Sequence, residues 1–235
     1  MAFDFWNLLT RLGEAQILLP AMFATCVWLV LRSHKPRAAL VWGGCTAAAA
    51  LLTTVTKVAF FGWEIGYAPL NFTGISGHAM FSTAVLPVLL RVLVADRGPR
   101  RQAAAVAVGV LLAALIAWSR VQVLAHSPAE ALVGFALGLA AALAALRGMH
   151  APPLHAPRTL VAGLAAWMLL TPAGAPPSPT HSMVMQLSVA LSGRDEPYQR
   201  WMMLRDYRHE LQRKGLPLPP YFTGPMVMGR IRPLE

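Results

Sequence analysis

The chain has 235 residues, of which 56% are apolar and only 13% charged. Soluble domains carry roughly 25% charged residues, so this balance excludes an ordinary soluble domain and a disordered chain, and points to a helical integral membrane protein. The formal net charge is +10, from 20 Lys and Arg against 10 Asp and Glu. The basic residues fall in short clusters between apolar runs, a membrane-topology pattern, and no nucleic-acid surface is expected.

A bilayer core of about 30 Å needs roughly 20 helical residues. Residues 3–11 read as an interfacial helix or as a frayed terminus. With Asp4, Arg11 and Glu14, the first fourteen residues do not read as a cleavable signal peptide. Predicted spans then cover residues 15–31, 38–56, 79–95, 102–118, 129–146 and, between Pro157 and Pro172, the short run 160–170. Cys26 and Cys45 lie inside apolar runs, so neither a disulfide framework nor a cysteine metal site is expected.

Arg32, Lys35 and Arg37, then Arg97, Arg100 and Arg101, then Arg147 and Arg158 mark the cytoplasmic links. Residues 57–78 and 119–128 therefore face outward, and an even number of spans puts both termini outside as well. The expected fold is all-α. Residues 1–171 form an integral membrane bundle of about six transmembrane helices, 172–180 a Pro-rich linker, and 181–235 a C-terminal extramembrane tail. Within that tail 181–191 could be amphipathic, 196–214 is predicted helical and the last twenty residues irregular.

The unusual polar residues gather at the outward helix ends. Lys57 closes the second span, Ser76, Gly77 and His78 open the third, Ser119 and Arg120 close the fourth, and His126 and Glu130 lead into the fifth. Ionisable groups near membrane depth are costly and mark functional sites by default. Two cations and a helix start carrying Ser76 and Gly77 suit a phosphate. One histidine could attack phosphorus and a second protonate the departing oxygen.

The run from Ser119-Arg120 through His126 to Glu130 resembles the third signature of the type-2 phosphatidic acid phosphatase family: Ser-Arg, five residues, His, three residues, Asp. Residues 75–78, Ile-Ser-Gly-His, resemble its second signature, Pro-Ser-Gly-His, and Lys57 stands where its first, Lys, six residues, Arg-Pro, would begin. The resemblance covers about residues 15–170. It implies a metal-independent lipid phosphatase with no cofactor. By position His126 would be the nucleophile that forms a phosphohistidine, His78 the general acid and Glu130 the orienter of His126. Lys57, Ser76, Gly77 and Arg120 would hold the phosphate. The implied partners are a lipid phosphate and membrane lipids, with undecaprenyl diphosphate, phosphatidic acid, phosphatidylglycerol phosphate and lipid A phosphate as candidates. The implied location is a bacterial inner membrane, with the site facing the periplasm.

This chain departs from the pattern at three points. Glu64 and Ile65 replace the Arg-Pro of the first signature, which removes a cation; Ile75 replaces the proline of the second; Glu130 replaces the Asp of the third. Ser127-Pro128-Ala129-Glu130 also spells a capping box, so Glu130 could serve the helix start instead of His126, and one rotamer is expected to fill both roles poorly. Ser76 could be an N-cap alone. A phosphotransferase using the same phosphohistidine, and a catalytically weak pseudoenzyme binding anionic lipid heads, remain open at this level.

Overall fold

The structure, a computed structural model, describes residues 2–32, 34–149, 156–174 and 178–222. The expected irregular end, beyond 222, and the middle of the expected linker lie outside these. The described residues form helices α1 (Ala2–Arg11), α2 (Ala15–Leu31), α3 (Pro36–Trp63), α4 (Gly77–Leu93), α5 (Pro99–Gln122), α6 (Pro128–Gly148), α7 (Arg158–Gly174), α8 (Thr180–Ser192) and α9 (Arg200–Arg213), with no strand among them. The chain is an all-α membrane bundle. The stretch Phe5–Leu31 and helices α3, α5 and α6 are each long and apolar enough to cross a bilayer, and α4 is a shorter apolar helix.

Several helices outrun the apolar runs that announce them. Pro at N1 starts α3, α5 and α6, where its missing N–H costs nothing. At its other end α3 continues past Lys57 to Trp63, so Lys57 sits within the helix two turns before its end. Ser119 and Arg120 lie in the last turn of α5. Helix α7 runs through Pro172 to Gly174, three residues into the stretch expected to be linker. Residues 2–11 are helical and pack along α5 and α7, so this terminus is not frayed.

Helix α4 is the centre. Most of its residues from Ala79 to Val92 are buried, and α2, α3, α5 and α6 all pack on it. Lipid gives no hydrophobic drive for one helix to bind another, so close approach through small residues takes over. Gly134 and Gly138 of α6 lie against α4: a Cβ on Gly134 would fall 2.6 Å from the Ser76 carbonyl oxygen, and one on Gly138 2.3 Å from that of Met80. On the other flank a Cβ on Gly109 of α5 would fall 2.6 Å from Pro87 Cα. The fully buried Trp42 of α3 donates its indole N–H to the Ala84 carbonyl of α4 at 3.2 Å. Large apolar side chains such as Phe23, Leu40, Leu51, Leu111, Leu132 and Leu169 point outward. In a bilayer that exterior meets acyl chains, and the backbone polar groups are satisfied within the helices.

Beyond α7 the chain folds back on the end of α3 that carries Trp63. Helix α8 runs beside α3, and Phe60 and Phe61 of α3 join Tyr198, Met203, Leu204, Leu211 and Phe222 in a second apolar cluster. The Tyr198 amide donates to the Phe61 carbonyl at 2.8 Å, and the Tyr221 hydroxyl to the Ala68 carbonyl at 2.7 Å.

The glycine contacts of α6 generate a test. Gly138→Ala drives a methyl group into the α4 backbone, where neither side can yield cheaply. Overpacking of this kind costs about 1–3 kcal/mol. A lower melting temperature in detergent is expected, whereas Gly43→Ala, whose added Cβ meets nothing within 4 Å, should be neutral or stabilising because Ala is the better helix former. Equal melting temperatures for Gly138→Ala and Gly43→Ala would refute close α4–α6 contact.

Candidate active site

Two helix starts face each other at the end of the bundle opposite the basic links. Ser76 caps α4, its hydroxyl accepting the Ala79 amide at 3.5 Å, and its own amide donates to the Glu130 carbonyl of α6 at 3.2 Å. The neighbouring Ile75 amide donates to the Thr56 hydroxyl of α3 at 3.1 Å. Gly74, at φ 141°, lies so close to α3 that a Cβ there would fall 2.9 Å from Cγ of Lys57. These contacts fix the start of α4, with Gly77 and His78, beside Lys57.

The five residues between Arg120 and His126 close on themselves. The amides of Ala125 and His126 both donate to the Arg120 carbonyl, at 3.0 and 3.1 Å, and Leu124 takes a left-handed φ of 57° to make the turn. Arg120 and His126 are thereby held a fixed distance apart. Arg120 Nη1 donates to the Thr10 hydroxyl of α1 at 2.8 Å. The α1–α2 turn lies over His78, since a Cβ on Gly13 would fall 3.3 Å from His78 Cβ. Lys57, Arg120 and His126 all lie close enough to His78 to act on its charge. All seven residues expected at the site therefore share one region at this end of the bundle.

Glu130 does what one rotamer was expected to do poorly. Its Oε2 accepts the Ser127 amide at 3.1 Å, completing the capping box with Ser127 Oγ, and the same oxygen meets His126 Nδ1 at 2.7 Å. The expectation of conflict is corrected. His126 stands only four residues away, just outside the helix start, so the cap rotamer already aims the carboxylate at its ring. With Nδ1 carrying the proton toward Glu130, His126 Nε2 keeps its lone pair.

The other Glu130 oxygen is engaged by residues that sequence reading did not select. Oε1 accepts the Thr73 amide at 2.6 Å and its hydroxyl at 2.7 Å. Arg200, the first residue of α9, donates from Nη2 to Oε1 at 2.8 Å and to Oε2 at 2.7 Å. Glu64, standing where the first signature has arginine, pairs at 2.8 Å with Arg194, which lies between α8 and α9. An acid at a position that asks for a cation was the available sign that a distant cation answers it. Among the described residues no three His, Cys, Asp or Glu side chains group as a metal site.

Burial pushes the His126 imidazole down to about 4, outweighing the Glu130 contact, which acts in the opposite direction. The unfolded imidazole titrates near 6.5. Between those values the unfolded chain takes up a proton that the folded chain refuses, so this residue's contribution to stability falls as pH falls through that window. From pH 7 to pH 4.5 the loss is about 2–3 kcal/mol. His126→Asn removes it. The wild-type melting temperature should therefore drop further than that of the variant over this interval, and parallel curves would contradict a buried neutral imidazole.

The model of the PAP2 superfamily matches residues 19–152, which hold Lys57, Ser76, Gly77, His78, Arg120, His126 and Glu130 but not Arg200. A relative from Klebsiella pneumoniae, called "Uncharacterized 22.5 kDa protein in cps region", is 31% identical over 199 residues, spanning 83% of this chain and 95% of its own. No solved structure matches the chain. With both signature segments brought to one site and a family match across the bundle, the chain belongs to the PAP2 superfamily of phosphatases acting on phosphate esters.

Proposed function

We propose that the chain hydrolyses a phosphate monoester or diphosphate carried by a lipid, through a phosphohistidine on His126 and without a metal ion. The observation that carries this reading is the 2.7 Å contact of His126 Nδ1 with Glu130. It leaves Nε2 as the free nucleophilic nitrogen, with His78 and two cationic side chains nearby. The position supports a lipid substrate: the helix starts of the site stand at the end of apolar spanning helices, so an acyl chain could stay in the bilayer while its phosphate reaches them. The basic links lie at the opposite end, which supports a site facing away from the cytoplasm, the periplasmic side of a bacterial inner membrane.

The phosphate oxygens sit among Lys57, Arg120 and the amides of Gly77 and His78, at a helix start that favours anions. The Ser76 hydroxyl can donate to one of them while it accepts the Ala79 amide. His126 Nε2 forms a bond to phosphorus as the bond to the lipid oxygen breaks, and His78 gives that oxygen its proton. The imidazole becomes cationic at this moment, and the Glu130 carboxylate at Nδ1 stabilises it. Water then attacks phosphorus, His78 takes the proton from the water, and the nitrogen–phosphorus bond breaks to release inorganic phosphate.

Phosphate release from a panel of lipid phosphates by the purified chain, with and without chelator, tests the reaction. His78→Ala separates the histidines. The loss should be about 10²–10⁴-fold on a lipid whose leaving group is an alkoxide. On an aryl phosphate, whose leaving oxygen needs no proton, the loss should be much smaller. Equal losses on both would remove His78 as the acid, and activity abolished by chelator and restored by a divalent cation would overturn the histidine mechanism.

A further inference from the structure

Arg200 lies 70 residues beyond Glu130 in sequence, outside the stretch that matches the family model. It nevertheless makes the only cationic side-chain contact that Glu130 receives from α9. We infer that Arg200 is a positioning residue for the Glu130–His126 pair, so that the C-terminal tail completes the active site; this rests on the proposed role of His126.

The geometry distinguishes clamping from phosphate binding. Nη1 carries two hydrogens and has two acceptors, the Asn71 carbonyl at 2.8 Å and the Asn71 Oδ1 at 2.7 Å. Nη2 also carries two, and meets Thr73 Oγ1 at 3.0 Å and both Glu130 oxygens. Both terminal nitrogens are thus spent on the 71–73 loop and on Glu130, with none left to grip a phosphate oxygen. The planar fork ties the carboxylate to a loop whose own amide and hydroxyl hold Oε1. A carboxylate gripped at both oxygens cannot rotate, and the oxygen facing His126 Nδ1 stays in line with the ring.

The tail is held in register to deliver this contact. Tyr198, two residues before Arg200, is pinned to the Phe61 carbonyl, and Met203 and Leu204, just after it, are buried against the end of α3. The Arg194–Glu64 pair is a second, exposed tether that touches neither Glu130 nor His126.

The charge of Arg200 also offsets that of Glu130. The groups facing His126 are Glu130 from α6, Lys57 from α3, Arg120 from α5 and His78 from α4, with Arg200 of α9 acting through Glu130. Without Arg200 the pull of the carboxylate on the imidazole is opposed only by Lys57 and Arg120 among the named cations, and the protonated ring is favoured relative to wild type.

The test uses the full chain in detergent with Arg200→Gln, Arg200→Lys and Arg194→Ala. Turnover is measured on the best substrate of a lipid phosphate panel, and the titration midpoint of His126 by NMR of labelled histidine, assigned from the signal absent in His126→Asn. In Arg200→Gln, kcat should fall about 10²-fold, as for a small misplacement of a reacting group, with KM changed by less than about three-fold. The His126 midpoint should rise by roughly one pH unit. Arg200→Lys keeps the charge without the fork, so its midpoint should stay near wild type while kcat lies between the two. Arg194→Ala should leave kcat within about two-fold, as expected for an exposed pair. A folded Arg200→Gln with wild-type kcat, or with a midpoint that does not rise, overturns the inference. So does an Arg194→Ala loss as large as that of Arg200→Gln, which would assign the effect to tail docking in general. If the wild type releases no phosphate from any substrate while the midpoint still rises in Arg200→Gln, the proposed hydrolysis fails and the clamp stands.

Discussion

A carboxylate removed from water must have its lone pairs engaged or the fold bears a heavy desolvation cost, and Glu130 is fully buried. Three donors meet each of its oxygens, from the α6 cap, His126, the 71–73 loop and α9. Those donors come from segments distant in the chain, so satisfying this one anion also fixes how they sit together. The same contacts that neutralise the burial cost include the one to the ring of His126, so the stabilising role of Glu130 and the orienting role proposed for it would rest on one arrangement.

That arrangement needs a rigid frame, which α4 supplies. Gly134 and Gly138 let α6 lie against its backbone, and the amide of Ser76 reaches the Glu130 carbonyl across the same contact. The starts of α4 and α6 are therefore coupled, and His78 keeps its relation to His126 through backbone contacts. Apart from Lys57, which lies within α3, the polar residues gathered here fall at helix ends, where free amides are available without breaking a helix inside the bilayer.

Much of this was legible in the sequence because it is written in local signals. Apolar runs announced the helices of the bundle, and the Ser-Arg and Ser-Gly-His segments named the residues now found at one end. Helix ends were less legible: hydropathy falls at Lys57, but nothing there stops the helix, which persists to Trp63. In sequence the capping box and the contact with His126 compete for one Glu130 rotamer, whereas in the structure the four-residue spacing satisfies both. Arg200 and Thr73 left no local mark. Their contacts depend on a tail folding back over the end of α3, a tertiary event that composition alone does not encode.

In the proposed reaction Glu130 holds His126 so that its Nε2 attacks phosphorus. Rapid quenching of the chain with a radiolabelled lipid phosphate, followed by peptide mapping, tests it most directly. The account predicts an acid-labile, alkali-stable phosphoryl group on the peptide containing His126, formed rapidly in wild type and far more slowly in Glu130→Gln. Label on another residue, or equal rates of His126 labelling in wild type and Glu130→Gln, would contradict it.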